Sequence, residues 1–188
     1  MLTTDDLDRA LAALGEVLAD RELAYELVAV GGGALALVGL IERSTRDLDV
    51  VGVLQHGALA PAVELPGPLA EAVGDVARAL DLSEDWVNGD PARRIRELPE
   101  RFLERCSRRE FGPLVVWLAS RVDQIYLKLF AAVDDRGGGK HVWDLEALQP
   151  TKDELRRAAA WARTQDGSET FARMLRACLG NLEAWRHG

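Results

Sequence analysis

Leu7, Leu11, Leu14 and Leu18 recur at helical spacing near the start of the chain. Thr3 or Thr4 is placed to cap that helix, with Asp5 and Asp6 in its first turn, and the pattern runs to about Asp20. An apolar run from Tyr25 to Val30 then reads as a buried strand ending at Gly31-Gly32-Gly33. Small and aliphatic residues from Ala34 to Leu40 predict a short helix, and Leu48 to Leu54 a second strand. Strand, glycine turn, helix and strand thus follow one another within about thirty residues.

Pro61, Pro66 and Pro68 mark a loop, and Leu69, Val73, Val76 and Leu80 place a helix after it. Trp86 to Pro91 is rich in turn formers; Trp86 reads either as a packing residue or as a base-stacking one. Phe102 to Arg108 and Leu114 to Leu118 predict two strands joined around Phe111-Gly112-Pro113. From Arg121 to about Asp134, Val122, Ile125, Tyr126, Leu129, Phe130 and Val133 form the stripe of a strong helix, with Lys128 beside it. Arg136 to Lys140 reads as a mobile connector, and His141 to Leu148 as a helix stopped by Pro150. Thr151 with Glu154 has the form of a capping box, and Ser168 caps a last helix reaching Trp185. The expected architecture is α/β (α+β): a small mixed sheet flanked by helices in about residues 1–120 and a helical part over about 121–188, together one domain.

Composition narrows this picture. At 188 residues and 48% hydrophobic, the chain can bury a substantial core and is not of a disordered type. No apolar run is long enough for a membrane helix, so no membrane partner is expected. The opening Met1-Leu2-Thr3-Thr4-Asp5-Asp6 has no apolar signal core, and two cysteines make no disulfide framework. A cytoplasmic setting is the simplest expectation. A net charge of −8 argues against a strong non-specific nucleic-acid binder. Locally, Arg93, Arg94, Arg96, Arg101, Arg105, Arg108 and Arg109 cluster. They form either a solvated face with Arg–Glu pairing or a patch for an RNA backbone.

The candidate chemistry lies in Arg46-Asp47-Leu48-Asp49-Val50. Strand side chains alternate faces, so Asp47 and Asp49 are expected on one side, about 7 Å apart along the strand. Two carboxylates held this way suit a hard divalent cation, Mg²⁺ above all. Gly31, Gly32 and Gly33 let backbone N–H groups come close to a phosphate. Each motif alone has an ordinary explanation, a turn or a flexible loop. Ser44 and Thr45 either shape the metal strand or make a local turn, and Arg43 or Arg46 meets phosphate or a surface acid.

The segment Val30 to Leu35, followed by Arg43-Ser44-Thr45-Arg46-Asp47-Leu48-Asp49-Val50, resembles the signature of the minimal nucleotidyltransferases of the DNA polymerase β superfamily. Within them, the Arg-x-Thr-x-Asp-x-Asp form is similar to AbiEii/MenT-type toxins and small bacterial relatives. A second block, Lys128 to Ala132 followed by Arg136, Lys140-His141 and Asp144-Leu145, resembles the pattern of that subgroup. His141 departs from it, standing where many relatives carry an aspartate.

The resemblance implies a nucleotidyltransferase fold and Mg²⁺-dependent transfer of a nucleotide from a nucleoside triphosphate to an acceptor. It implies Asp47, Asp49, Lys128 and Asp144 as catalytic residues, with Asp47 and Asp49 on the metal. Gly31, Gly32, Gly33, Ser44, Thr45, Arg46 and Lys140 are its substrate-binding residues. Asp144 is its third carboxylate, with Glu104 and Glu110 as rivals, and a structural Lys128–Asp144 ion pair is the other reading of those two residues. It also points to an RNA acceptor, in particular a tRNA 3′ end, and to a toxin role with an antitoxin partner. Transfer to a protein or a small molecule, or a non-catalytic module of the same fold, are the competing expectations.

Overall fold

The structure, a computed structural model, describes residues 1–134 and 139–185. The chain divides into two compact units, Met1–Arg96 with Arg101–Ser120 and Glu97–Glu100 with Arg121–Gly188.

The first unit is built on a mixed sheet. Helix α1 (Thr4–Asp20) is followed by β1 (Tyr25–Val30), α2 (Gly31–Leu37), β2 (Leu48–Gln55) and β3 (Ala58–Pro61). Then come α3 (Gly67–Leu80), β4 (Val87–Asn88), a 3₁₀ turn η1 (Asp90–Arg93), α4 (Phe102–Arg105), β5 (Ser107–Phe111) and β6 (Leu114–Leu118). The strands run β3-β2-β1-β6-β5, and β4 joins β2 beside β3. β1 is antiparallel to β2 and parallel to β6, while β5 and β6 form a hairpin. Leu7, Leu11, Leu14 and Leu18 of α1 pack with Leu69, Val73 and Val76 of α3 and with Leu27, Val50, Leu114 and Val116 of the sheet in one core. Burying each such side chain is worth about 1.5–3 kcal/mol, which is what recruits the two amphipathic helices to this face.

Several boundaries differ from the sequence reading. The capping box of α1 uses Thr3 with Asp6. The three glycines form the first turn of α2 and do not precede it. Pro68 lies in the first turn of α3, where its missing N–H costs nothing. The β2–β3 hairpin was not anticipated: His56 and Gly57, both at positive φ, close it without the Asn-Gly signature of such turns. Phe102–Arg105 is a helical turn, not the start of a strand; Arg101 at φ 57° bends the chain there and Phe102 turns inward.

The second unit contains α5 (Arg121–Asp134), α6 (Gly139–Leu148), α7 (Lys152–Gln165) and α8 (Glu169–Trp185). Phe130 meets Trp161 edge-on at 6.0 Å and Phe171 at 5.6 Å, and Tyr126 lies 6.0 Å from Trp161. Arg121 joins two helix ends: it donates to the carbonyls of Leu148 and Gln149 and to the Glu154 carboxylate at 2.7 Å. Glu154 also completes the Thr151 capping box, and Ser168 caps α8 through the Phe171 N–H. Residues 97–100 belong with this unit, where the Glu97 N–H donates to Gln165. Arg136 and most of the expected connector lie outside the described residues, while Gly139 and Lys140 open α6. Among the described residues, no helix is long and apolar enough to cross a membrane.

Candidate nucleotide site

The register of the sheet builds the first motif into one corner. β1 ends at Val30, which pairs with Asp49 of β2, and Asp49 pairs on its other side with Asn88 of β4. The chain turns into α2 immediately after Val30, so Gly31 comes to rest over Asp49. Its φ of +74° favours glycine, and a Cβ here would collide with the Asp49 carboxylate. Leu48 and Val50 are fully buried, while Asp47 and Asp49 are half-buried. That alternation puts the two acids on the same side of the segment. Asp47 itself stands one residue ahead of β2, outside the ladder.

The other two glycines are also placed by close approach. A Cβ on Gly32 would lie 3.1 Å from the Thr45 hydroxyl and 3.2 Å from the Arg43 guanidinium. One on Gly33 would lie 2.7 Å from the Asp47 carbonyl oxygen. Residues 43, 45, 47 and 49, each two apart, therefore meet the glycine turn in succession. Of the two arginines, Arg43 is the one beside the turn; it also donates to the Ser44 carbonyl at 3.2 Å. Arg46 and Ser44 are not among the groups that crowd the glycines. The donor set is two carboxylates with room made by a missing side chain, which fits a hard divalent cation.

Sequence reading missed Asn88. Its register beside Asp49 follows from a two-residue strand, too short for any periodic signal. Its side chain orders its own turn, accepting from the Asp90 N–H at 3.0 Å and donating to the Asp85 carbonyl at 3.4 Å. Trp86 packs; it does not stack on a base: it is fully buried, its indole donates to the Val73 carbonyl at 3.1 Å, and its carbonyl accepts from Leu48 N–H. The rival third acids are engaged elsewhere. Glu104 pairs with Arg101, which lowers its pKa, and Glu110 pairs with Arg108 on β5, three strands from β2. Among the described residues, no group of three or more His, Cys, Asp or Glu is gathered for a metal.

The arginine cluster is largely matched by acids. Arg93 pairs with Asp90, Arg101 with Glu104, Arg108 with Glu110 and Arg109 with Asp8. Arg108 also lies 4.8 Å above the Trp117 ring.

In the second unit, Lys128 and Asp144 form an ion pair at 2.6 Å, with side chains 6% and 1% exposed. Lys128 is thus inside the buried surface of α5, not beside it, because Asp144 supplies the countercharge that burial requires. Asp123 and Gln124 on the same helix are also fully buried. Lys140, one turn before Asp144, is exposed, and His141 is half-buried.

Comparison with known proteins adds one finding. A family described as "Nucleotidyltransferase of unknown function (DUF6036)" matches residues 6–136, which hold the first unit from Asp6 onward and all of α5. No curated protein and no solved structure matches the chain. The mixed sheet flanked by helices is consistent with a nucleotidyltransferase fold, and the chain belongs to this nucleotidyltransferase family.

Proposed function

We propose that the protein transfers a nucleotide from a nucleoside triphosphate to an acceptor in a Mg²⁺-dependent reaction. The observation that carries this reading is the contact of the Asp49 carboxylate with Gly31, which makes the acidic pair and the glycine turn one structure. Asp47 and Asp49 are the residues that would hold the cation. A cation held there would supply positive charge against the phosphate oxygens and the pyrophosphate leaving group. Gly31, Gly32 and Gly33 would offer backbone N–H groups to phosphate, their missing side chains making room for Asp49, Thr45 and Asp47, and Arg43 brings positive charge to Gly32. Ser44, Thr45 and Arg46 belong to the segment that carries the acids. Lys128, Lys140 and Asp144 are implied by the likeness of the second motif block alone, and in this structure Lys128 and Asp144 pair with each other.

The acceptor in this proposal is RNA, with a tRNA 3′ end first and a toxin role restrained by an antitoxin protein. That step rests on the likeness of both motif blocks to AbiEii/MenT-type enzymes; the acid-paired arginines add nothing to it. The test is incubation with each α-labelled ribonucleoside triphosphate, Mg²⁺ and total cellular RNA or protein, followed by gel analysis. Label on small RNA is the expected result. Label on protein alone would move the acceptor to a side chain, and no label on either would leave the acceptor a small molecule or the reading wrong. Thermal melting with the same nucleotides separates those last two, since a ligand of the native state raises its stability.

A further inference from the structure

Asp49 and Asp47 are held in place by different means. The backbone of Asp49 is locked by strand pairing on both sides, to Val30 and to Asn88. Asp47 precedes the strand and has no such ladder. Its carbonyl is nevertheless fixed from two directions. The Thr45 hydroxyl donates to it at 3.2 Å, and Gly33 backs onto it so closely that a Cβ would lie 2.7 Å away. Thr45 is itself anchored: it exchanges backbone hydrogen bonds with Leu2, at 2.6 and 2.9 Å, and is only 5% exposed. Its hydroxyl also lies against Gly32. A buried hydroxyl with a local acceptor, facing a glycine, is built to hold backbone and not to meet substrate.

Resting on the nucleotidyltransferase reading above, we infer that Thr45 is the positioning residue for Asp47. Its hydroxyl sets the orientation of the Asp47 peptide, and through it the direction of the Asp47 carboxylate, doing for the residue outside the sheet what the ladder does for Asp49. The N-terminal segment takes part, because the Leu2 bridge holds Thr45 in register.

The test uses the full chain and Mn²⁺ as a spectroscopic probe, titrated by electron paramagnetic resonance in the presence of each ribonucleoside triphosphate in turn. Thr45→Ser and Thr45→Ala both lose the γ-methyl and differ in the hydroxyl alone; Thr45→Val keeps the shape and loses the hydroxyl. Thr45→Ser is expected to bind Mn²⁺ like the wild type. Thr45→Ala and Thr45→Val are expected to bind it about fivefold more weakly, the effect of one net hydrogen bond. Should Thr45→Val fail to fold, the serine–alanine pair gives the same reading. Equal affinity in all three variants overturns the inference, and so does a serine variant as weak as the alanine one, since packing and not the hydroxyl would then be at work. A wild type that binds Mn²⁺ with none of the four nucleotides overturns the nucleotidyltransferase reading itself, a result distinct from the other two.

Discussion

Two pairs of charged groups carry the two motif blocks, and the protein treats them in opposite ways. Asp47 and Asp49 are like charges, two residues apart, half-buried at the edge of a glycine turn. Lys128 and Asp144 are opposite charges, far apart in sequence, joined at 2.6 Å and withdrawn from solvent. Two carboxylates on one side of a segment, beside a glycine turn, are a donor set that suits a hard cation. A buried Lys–Asp pair already has its countercharge and needs no ligand to be stable. The first pair is positioned by backbone, through strand register and missing Cβ atoms. The second is positioned by its own attraction within packed helices.

The largest expected effect breaks the first pair. Asp49→Asn or Asp47→Asn should lower nucleotide transfer by at least about 100-fold, the upper end seen even for outer-shell partners of a metal. Either should also remove the rise in melting temperature given by Mg²⁺ with a nucleoside triphosphate, without unfolding the protein. Melting curves with and without ligand decide it, and a rise that survives both substitutions places the nucleotide elsewhere.

Next in size is the buried pair. Lys128→Ala removes the ion-pair partner of the buried Asp144 and should cost about 3–5 kcal/mol, read by denaturant unfolding. Lys128→Met with Asp144→Leu should recover most of that. The double variant then sharpens the comparison. If it recovers stability and still binds nucleotide, the pair is structural; if it recovers stability and loses nucleotide, the second block acts on substrate as the first does.

A smaller effect lies in another charged contact of the helical unit. The Arg121 guanidinium, helped by the Thr151 cap, holds the Glu154 pKa at about 2, below its ordinary 4.5. A depressed carboxylate stabilises the fold above its unfolded pKa, and that contribution fades as pH falls from about 4.5 towards 2. Glu154→Gln should cost about 1.5–3 kcal/mol near pH 7, the value of hydrogen bonds to a charged group. The difference between wild type and variant should shrink as unfolding is followed from pH 5 to pH 2.

The smallest change in stability is expected at Gly31. Gly31→Ala forces a left-handed residue, costing about 1–2 kcal/mol, and displaces the Asp49 carboxylate. Its stability loss should be modest while its Mg²⁺–nucleotide melting shift is lost. A variant that keeps the full shift would show that the contact with Gly31 does not position Asp49.

Much of this protein is legible in the chain itself. The leucine stripes of α1 and α3, a cap at Thr3 or Thr4, the capping box at Thr151 and the Ser168 cap are local codes, decided by spacing and by hydrogen bonds within a turn. So is the strand–glycine–helix–strand order around Asp49, because burial on a pleated strand has a period of two. What the chain alone did not determine depends on partners distant in sequence. The two-residue β4 exists only because Leu48 and Asp49 offer it an edge, and Trp86 is buried only because the Val73 carbonyl of α3 awaits its indole. Lys128 could be read as lying beside an apolar stripe, since a lysine is normally exposed; Asp144, sixteen positions on, is what lets it be buried. Each of the three glycines is required for a different reason, the carboxylate of Asp49, the side chains of Arg43 and Thr45, and the carbonyl of Asp47. No local pattern states those reasons, because close approach is a property of two segments and only the fold brings the second one near.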